Sequence, residues 1–192
     1  VIAGVVLAAG GASRFGSPKQ LAELDGVPLL QHAVDAILAV PAIEPVVVVL
    51  GAEAGRVRAA VDFGDARAVQ CPEWQDGMAA SLRCGVAAVG DCDWVIVTLG
   101  DQPRVTPQVI AAVMDHAVAA PAGTAAVRAT YDGAPGHPVA LSRAILSEVA
   151  ALRGDVGARD LLARPDVTTF EAGRLCDPAD VDTPQQLEAL RP

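Results

Sequence analysis

The chain has 192 residues, 52% of them hydrophobic and only 3% aromatic, and carries a net charge of −9. That length suits one domain, and a core of Ala, Val, Leu and Ile suits a sheet covered by helices on both faces. The acidic balance and the lack of any Lys/Arg run exclude a broad nucleic-acid-binding surface, and no apolar stretch is long enough to span a bilayer.

In chain order, the apolar run Val1 to Leu7 predicts a buried strand that stops at Ala8-Ala9-Gly10-Gly11. No charged and apolar leader is expected ahead of it. A helix follows Pro28 at its first turn, from Leu29 to Ala39, and ends before Pro41. Pro45-VVVVLG reads as a second buried strand, Ala52 to Val61 as a short helix, and Ala66 to Cys71 as a third strand. Gly77 to Val89 has Met78, Leu82 and Val86 at helical spacing despite Gly85. Asp93-WVIVTLGD is the strongest strand pattern, and Thr106-Pro107 opens a helix to about Ala119. Thr124 to Ala129 and His137 to Leu141 flank Tyr131-Asp132-Gly133 as a β-hairpin. Helices near Ala144 to Leu152 and Val156 to Ala163, a strand at Val167 to Phe170 and a helix at Pro184 to Leu190 complete the chain. Alternating strands and helices imply right-handed crossovers, and the hairpin makes the sheet mixed. The expectation is a single-domain α/β chain over residues 1–192, a Rossmann-like three-layer sandwich with a mostly parallel mixed sheet.

Cys71, Cys84, Cys92 and Cys176 have neither CxxC spacing nor clustered histidines, which points to reduced thiols in a cytoplasmic protein.

Three segments carry chemistry. LAAGGASRFGSPKQ, Leu7 to Gln20, follows a strand with small residues that let backbone N–H groups approach phosphate oxygens, and Arg14 and Lys19 add cations. It is neither GxxxxGK[ST] nor GxGxxG, and a plain strand-to-helix turn with surface cations is the alternative. Gly100-Asp101-Gln102-Pro103 ends the strongest strand, where ligands of open α/β sheets bind; Asp101 either takes Mg²⁺ there or closes an Asx turn. In Asp180-Val181-Asp182-Thr183-Pro184, helix capping by Asp182 and Thr183 is one explanation, and an equal one is that a carboxylate serves as a second metal ligand if the fold brings it near Asp101.

Together these segments resemble the molybdenum cofactor cytidylyltransferases, nucleotidyltransferases of the nucleotide-diphospho-sugar transferase (glycosyltransferase-A-like) fold. LAAGxSxRxGxxKQ is matched by Leu7 to Gln20, GMxxSL by Gly77 to Leu82, and LGDQP by Leu99 to Pro103. GHPV is matched by Gly136 to Val139, GDxGAR by Gly154 to Arg159, and DxDTPxxL by Asp180 to Leu187. The resemblance implies that Ala8, Ala9, Gly10, Gly11, Arg14 and Lys19 hold the base and triphosphate. It implies that Gly77 and Ser81 line the base and ribose pocket, and that Asp101 and Asp182 bind Mg²⁺ or Mn²⁺. Arg14, Lys19 and Asp101 would serve catalysis, with Asp101 also contacting nucleotide through the metal. His137, Asp155 and Arg159 would face a phosphorylated pterin-like acceptor; a loop histidine, or an Arg159 paired with Asp155 or Asp160, is the alternative. Ala9, and Asp180 and Asp182 where the guanylyl branch tends to carry Asn, favour CTP over GTP. The implied reaction moves CMP from CTP to the terminal phosphate of a molybdopterin-type cofactor that a molybdoenzyme could receive. Rival readings are transfer to another phosphorylated acceptor, a cofactor-delivery protein, and a pyridine-nucleotide-dependent reductase.

Overall fold

The computed structural model describes residues 1–10, 15, 18–153 and 156–191, those at 156–158 as backbone. The chain opens with β1 (Ile2–Ala8), a small hairpin of β2 (Glu23–Leu24) and β3 (Val27–Pro28), and α1 (Leu29–Leu38). β4 (Val46–Leu50), α2 (Ala54–Ala60), β5 (Arg67–Gln70), α3 (Met78–Val89), β6 (Trp94–Leu99) and α4 (Pro107–Ala119) follow. The second half holds β7 (Ala126–Tyr131), β8 (Ala134–Ser142), α5 (Arg143–Ala151), α6 (Val156–Leu161), β9 (Val167–Glu171) and α7 (Pro184–Ala189).

Seven strands form one sheet in the order β5-β4-β1-β6-β8-β7-β9. β4, β1 and β6 are its centre, and every residue of the Val46–Leu50 strand is buried. β8 runs antiparallel to both β6 and β7, while the other described pairings in this sheet are parallel. The mixed, mostly parallel sheet is therefore as expected, with a hairpin longer than its sequence pattern. Asp132 and Gly133 both have positive φ, the backbone that a tight hairpin turn requires. Asp25 and Gly26 repeat it at the β2–β3 turn, which periodicity does not reveal because its strands are two residues long.

Two apolar layers cover the sheet. On one face Leu30, Val34 and Ile37 of α1, Val57 of α2 and Val109, Ile110 and Val113 of α4 pack on Val6, Val48 and Ile96. On the other, Ala79 and Leu82 of α3 and Ile145 and Val149 of α5 pack on Val5, Val49 and Val97. A third, small cluster joins the β2–β3 hairpin to the C-terminal segment through Leu24, Leu29, Val181, Leu187 and Leu190. Thr106 and Thr183 cap α4 and α7 through their hydroxyls, each with Pro in the first turn. No helix among the described residues is long and apolar enough to cross a membrane.

Gly85 in α3 has a packing reason. A Cβ there would lie 2.5 Å from Val5 Cγ1 and 3.0 Å from Val49 Cγ2, so the helix rests on the sheet through its backbone. Gly85→Ala should cost about 1–3 kcal/mol by overpacking, despite alanine's better helix propensity. Gly55→Ala in α2, where nothing lies within 4 Å, should leave stability unchanged or raise it. Thermal unfolding of the two variants checks this: equal midpoints would refute the close α3–β1 approach.

Candidate active site

The cleft forms at the carboxyl ends of β1 and β6, where a parallel sheet exposes loop backbone rather than side-chain core. Its volume is about 500 Å³, and Ala8, Ala9, Gly10, Lys19, Gly77, Ser81, Asp101 and Asp182 all line it. The structure thus brings together most of the residues that the motifs single out. Gly11, Arg14 and Asp155 lie outside the described residues.

Backbone crowding explains the small residues of the loop. A Cβ on Gly51, just after β4, would sit 2.1 Å from the Ala9 carbonyl oxygen, and one on Gly100 would sit 2.9 Å from Ala8 Cβ. The start of the loop is therefore pressed between two glycine-bearing strand ends. Gln20 fixes it further, because its buried side-chain amide donates to the Ala8 and Gly10 carbonyls at 2.8 and 3.0 Å. On the opposite wall Gly77, with φ of 94°, leads into α3 and places the buried Ser81 one turn later.

At the cleft's charged end Lys19 Nζ donates to Asp101 Oδ2 at 2.6 Å and to Asp182 Oδ1 at 2.7 Å. Burial alone would lower the Lys19 pKa; Asp101 and then Asp182 more than offset this and hold it above the usual value. The C-terminal segment reaches this place through backbone pairing: Val181 N–H donates to the Asp101 carbonyl at 2.9 Å. Gln102 Nε2 adds a bond to the Pro178 carbonyl at 2.8 Å. Val181 is fully buried, so its neighbours Asp180 and Asp182 both face the cleft. Burial, then the charge of Asp101, raises the Asp180 pKa. Thr183 caps α7 while Asp182 meets Lys19, so the two explanations of this motif divide between adjacent residues.

The donors suit a hard divalent cation. They are carboxylate oxygens, and Asp101 Oδ1 is buried and forms no hydrogen bond among the described residues, which leaves its lone pairs available to a cation. No group of three or more His, Cys, Asp or Glu converges as a metal cage among the described residues. A cation here would complete its shell with phosphate oxygens and water, as Mg²⁺ commonly does.

His137 and Arg159 do not line the cleft. His137 sits in β8, where burial and then the Arg128 guanidinium push its pKa down to about 4, so its ring is neutral near pH 7. Its backbone carbonyl accepts from the Tyr131 hydroxyl at 2.6 Å. Arg159 is exposed on α6 and forms no ion pair with Asp160. Sequence reasoning missed Gln20, Trp74 and Gln75 as cleft residues, with the KQ of the first motif the signal for Gln20, while Asp180, weighed there for nucleotide choice, lines the cleft as well.

The family model described as MobA-like NTP transferase domain matches residues 4–169. Nicotine blue oxidoreductase of Paenarthrobacter nicotinovorans is 30% identical over 98% of this chain and 96% of its own. The structure of Rv0371c from Mycobacterium tuberculosis, also solved as a manganese complex, is 33% identical. It superposes with a TM-score of 0.86 over 98% of this chain and 96% of that one. A nucleotidyl transferase from Methanothermobacter thermautotroptrophicus is 26% identical, with a TM-score of 0.81 over 99% of this chain and 95% of that one. With that match across most of its length and a cleft of this construction, the chain belongs to the MobA-like NTP transferase domain family and is a nucleotidyltransferase.

Proposed function

We propose that the enzyme transfers CMP from CTP to the terminal phosphate of a molybdopterin-type cofactor, in the cytoplasm and with Mg²⁺ or Mn²⁺. A molybdoenzyme would then receive the product. The observation that carries this reading is the meeting of Lys19, Asp101 and Asp182 beside the Ala8–Gly10 backbone. That Rv0371c was solved as a complex with manganese supports use of a divalent cation. Ala9, and the carboxylates Asp180 and Asp182, support CTP rather than GTP.

In the reaction, an oxygen of the acceptor's phosphate monoester attacks the α-phosphorus of CTP. The bond from that phosphorus to the bridging α,β oxygen breaks, and pyrophosphate leaves with the electron pair. The nucleophile is already an anion near pH 7, so no general base is needed and the enzyme's task is positioning and charge neutralisation. The cation, when bound, supplies Lewis-acid stabilisation of the α-phosphate and the leaving pyrophosphate. Asp101 and Asp182 would hold it. Ala8 to Gly11 offer backbone N–H groups to the phosphates, and Arg14 and Lys19 offer positive charge. Gly77 lets the base approach α3 closely, and Ser81 offers a hydroxyl to base or ribose.

Lys19 bonds to the two carboxylates that would hold the cation, so its charge and a divalent cation would compete for them. Lys19→Ala should therefore bind Mn²⁺ more tightly than the parent without nucleotide, yet bind CTP about tenfold or more weakly. Unchanged affinity for both in calorimetric titrations would remove Lys19 from this role.

Asp101→Asn should lower kcat by at least about 10²–10³-fold, the scale of losing one electrostatic stabiliser, with little change in Tm. Pyrophosphate release measured with a molybdopterin-type acceptor checks this, and near-normal rates would refute the metal assignment.

Nucleotide choice is read by thermal stabilisation with CTP, GTP, ATP and UTP in Mg²⁺. A ligand at ~100 times its dissociation constant adds roughly 2.7 kcal/mol, and CTP should give the largest shift. A larger shift with GTP would assign the guanylyl reaction instead. Silence from all four, with oxidation of reduced nicotinamide cofactor, would favour the chemistry named for the Paenarthrobacter relative.

A further inference from the structure

Arg128 stands out as a charged side chain in an otherwise apolar part of the sheet. Ala126, Val127 and Ala129 around it are buried, and Arg128 itself is half-buried. It pairs with Val139 of β8, and Val139 and Ala126 pack with α3 and α5, so Arg128 shares the face that carries the Gly77–Ser81 wall of the cleft. Its Nε donates to the Gly136 carbonyl at 3.3 Å. Its two terminal nitrogens have no hydrogen-bond partner and no carboxylate within ion-pair distance among the described residues.

A guanidinium withdrawn from water without an anion costs stability, and a second cation nearby raises the cost. Burial and then Arg159 lower the Arg128 pKa, so two guanidiniums lie within electrostatic reach of each other. His137 is the third group beside Arg128. In a chain of net charge −9 with 23 acidic residues, a half-buried arginine with no carboxylate paired to it among the described residues departs from the average.

Its position gives it a purpose. The β6–β8 pairing ends at Val97 and Val139, and Leu99 and His137 each lie two residues beyond that last pair. Leu99 lines the cleft and is followed by Gly100 and Asp101. Neighbouring strands lie about 4.8 Å apart, so β8 and β7 are one and two strand spacings beyond the strand that delivers Asp101. The triphosphate loop follows β1, on the other side of β6.

We propose that Arg128, next to the Gly136–His137 stretch of β8, forms the subsite that holds the acceptor's phosphate, with the Arg128 fork gripping a phosphate monoester. This rests on the nucleotidyl-transfer reading of the cleft. Guanidinium matches phosphate by two parallel hydrogen bonds, which orients the nucleophile as well as attracting it. Arg128 is thus an acceptor-binding residue, distinct from the groups that hold CTP.

The test fills the nucleotide position with Mg²⁺ and α,β-methylene CTP, which cannot be cleaved there, and titrates inorganic phosphate by calorimetry. Arg128→Gln should weaken phosphate binding tenfold or more, and Arg128→Lys should fall between it and the parent. Affinity for the CTP analogue should be unchanged, and the Tm of Arg128→Gln without ligand should equal or exceed the parent's. Parent-like phosphate binding in Arg128→Gln overturns the proposal, as does a lowered Tm accompanied by weaker binding of the analogue, which would make the arginine structural. If even the parent ignores the analogue, the nucleotidyl reading fails on its own. The subsite is then judged in a Lys19→Ala background, where phosphate binding lost on adding Arg128→Gln sustains it and binding retained overturns it.

Discussion

The ion triad of Lys19, Asp101 and Asp182 is the contact on which the site's assembly depends, because it joins three distant parts of the chain. Two carboxylates brought together in a partly buried cleft repel each other and favour protonation unless a cation lies between them. Lys19 supplies that cation. Its two bonds hold the C-terminal segment against the carboxyl end of β6, where the Val181 N–H to Asp101 carbonyl bond fixes its register. The small apolar cluster of Leu24, Leu29, Val181, Leu187 and Leu190 then has a chemical consequence, since it anchors the segment that bears Asp180 and Asp182. A cation that replaces Lys19 inherits this arrangement without rebuilding it.

The sheet supplies the second constraint. A phosphate can be approached by loop backbone only where side chains are small, and Ala8, Ala9 and Gly10 meet that condition between Gly51 and Gly100. Gln20 occupies two carbonyls of the same stretch from within the core. Those carbonyls are acceptors, which an anion would avoid, so turning them toward Gln20 leaves the opposite polarity of the peptide units for a ligand. One side chain therefore contributes to both the packing and the polarity of the Ala8–Gly10 stretch.

Much of this was legible in the chain. The valine runs of β4 and β6, the threonine-proline helix starts and the Asp132-Gly133 turn each have a local physical cause, and each forms where its pattern puts it. The β2–β3 hairpin escaped because two-residue strands have no periodicity, although Asp25-Gly26 carries the same turn chemistry as Asp132-Gly133. Gln20 escaped as a loop clamp because a side chain bonding to backbone twelve residues away has no spacing signature. Arg128 escaped for a different reason: alternation within a strand assigns a lone arginine to a solvent face. Here that face is the one carrying Val139, Leu141 and the α3–α5 layer.

Charge follows the strand order in a way that the chemistry can use. Lys19 and the loop after β1 come first, the carboxylates Asp101, Asp180 and Asp182 stand at the end of β6, and Arg128 and His137 belong to β7 and β8. Joining two phosphates requires two anions to approach, and their repulsion is the main obstacle when no base or covalent intermediate is involved. If Arg128 holds the acceptor as proposed, Lys19 among the carboxylates and Arg128 on the far side would relieve that repulsion on each partner separately. On the proposed reading, a divalent cation held by the central carboxylates would place the strongest positive charge where the two partners meet. Neither flank would suffice alone: a cation pair without the central metal would bind both phosphates and leave them apart.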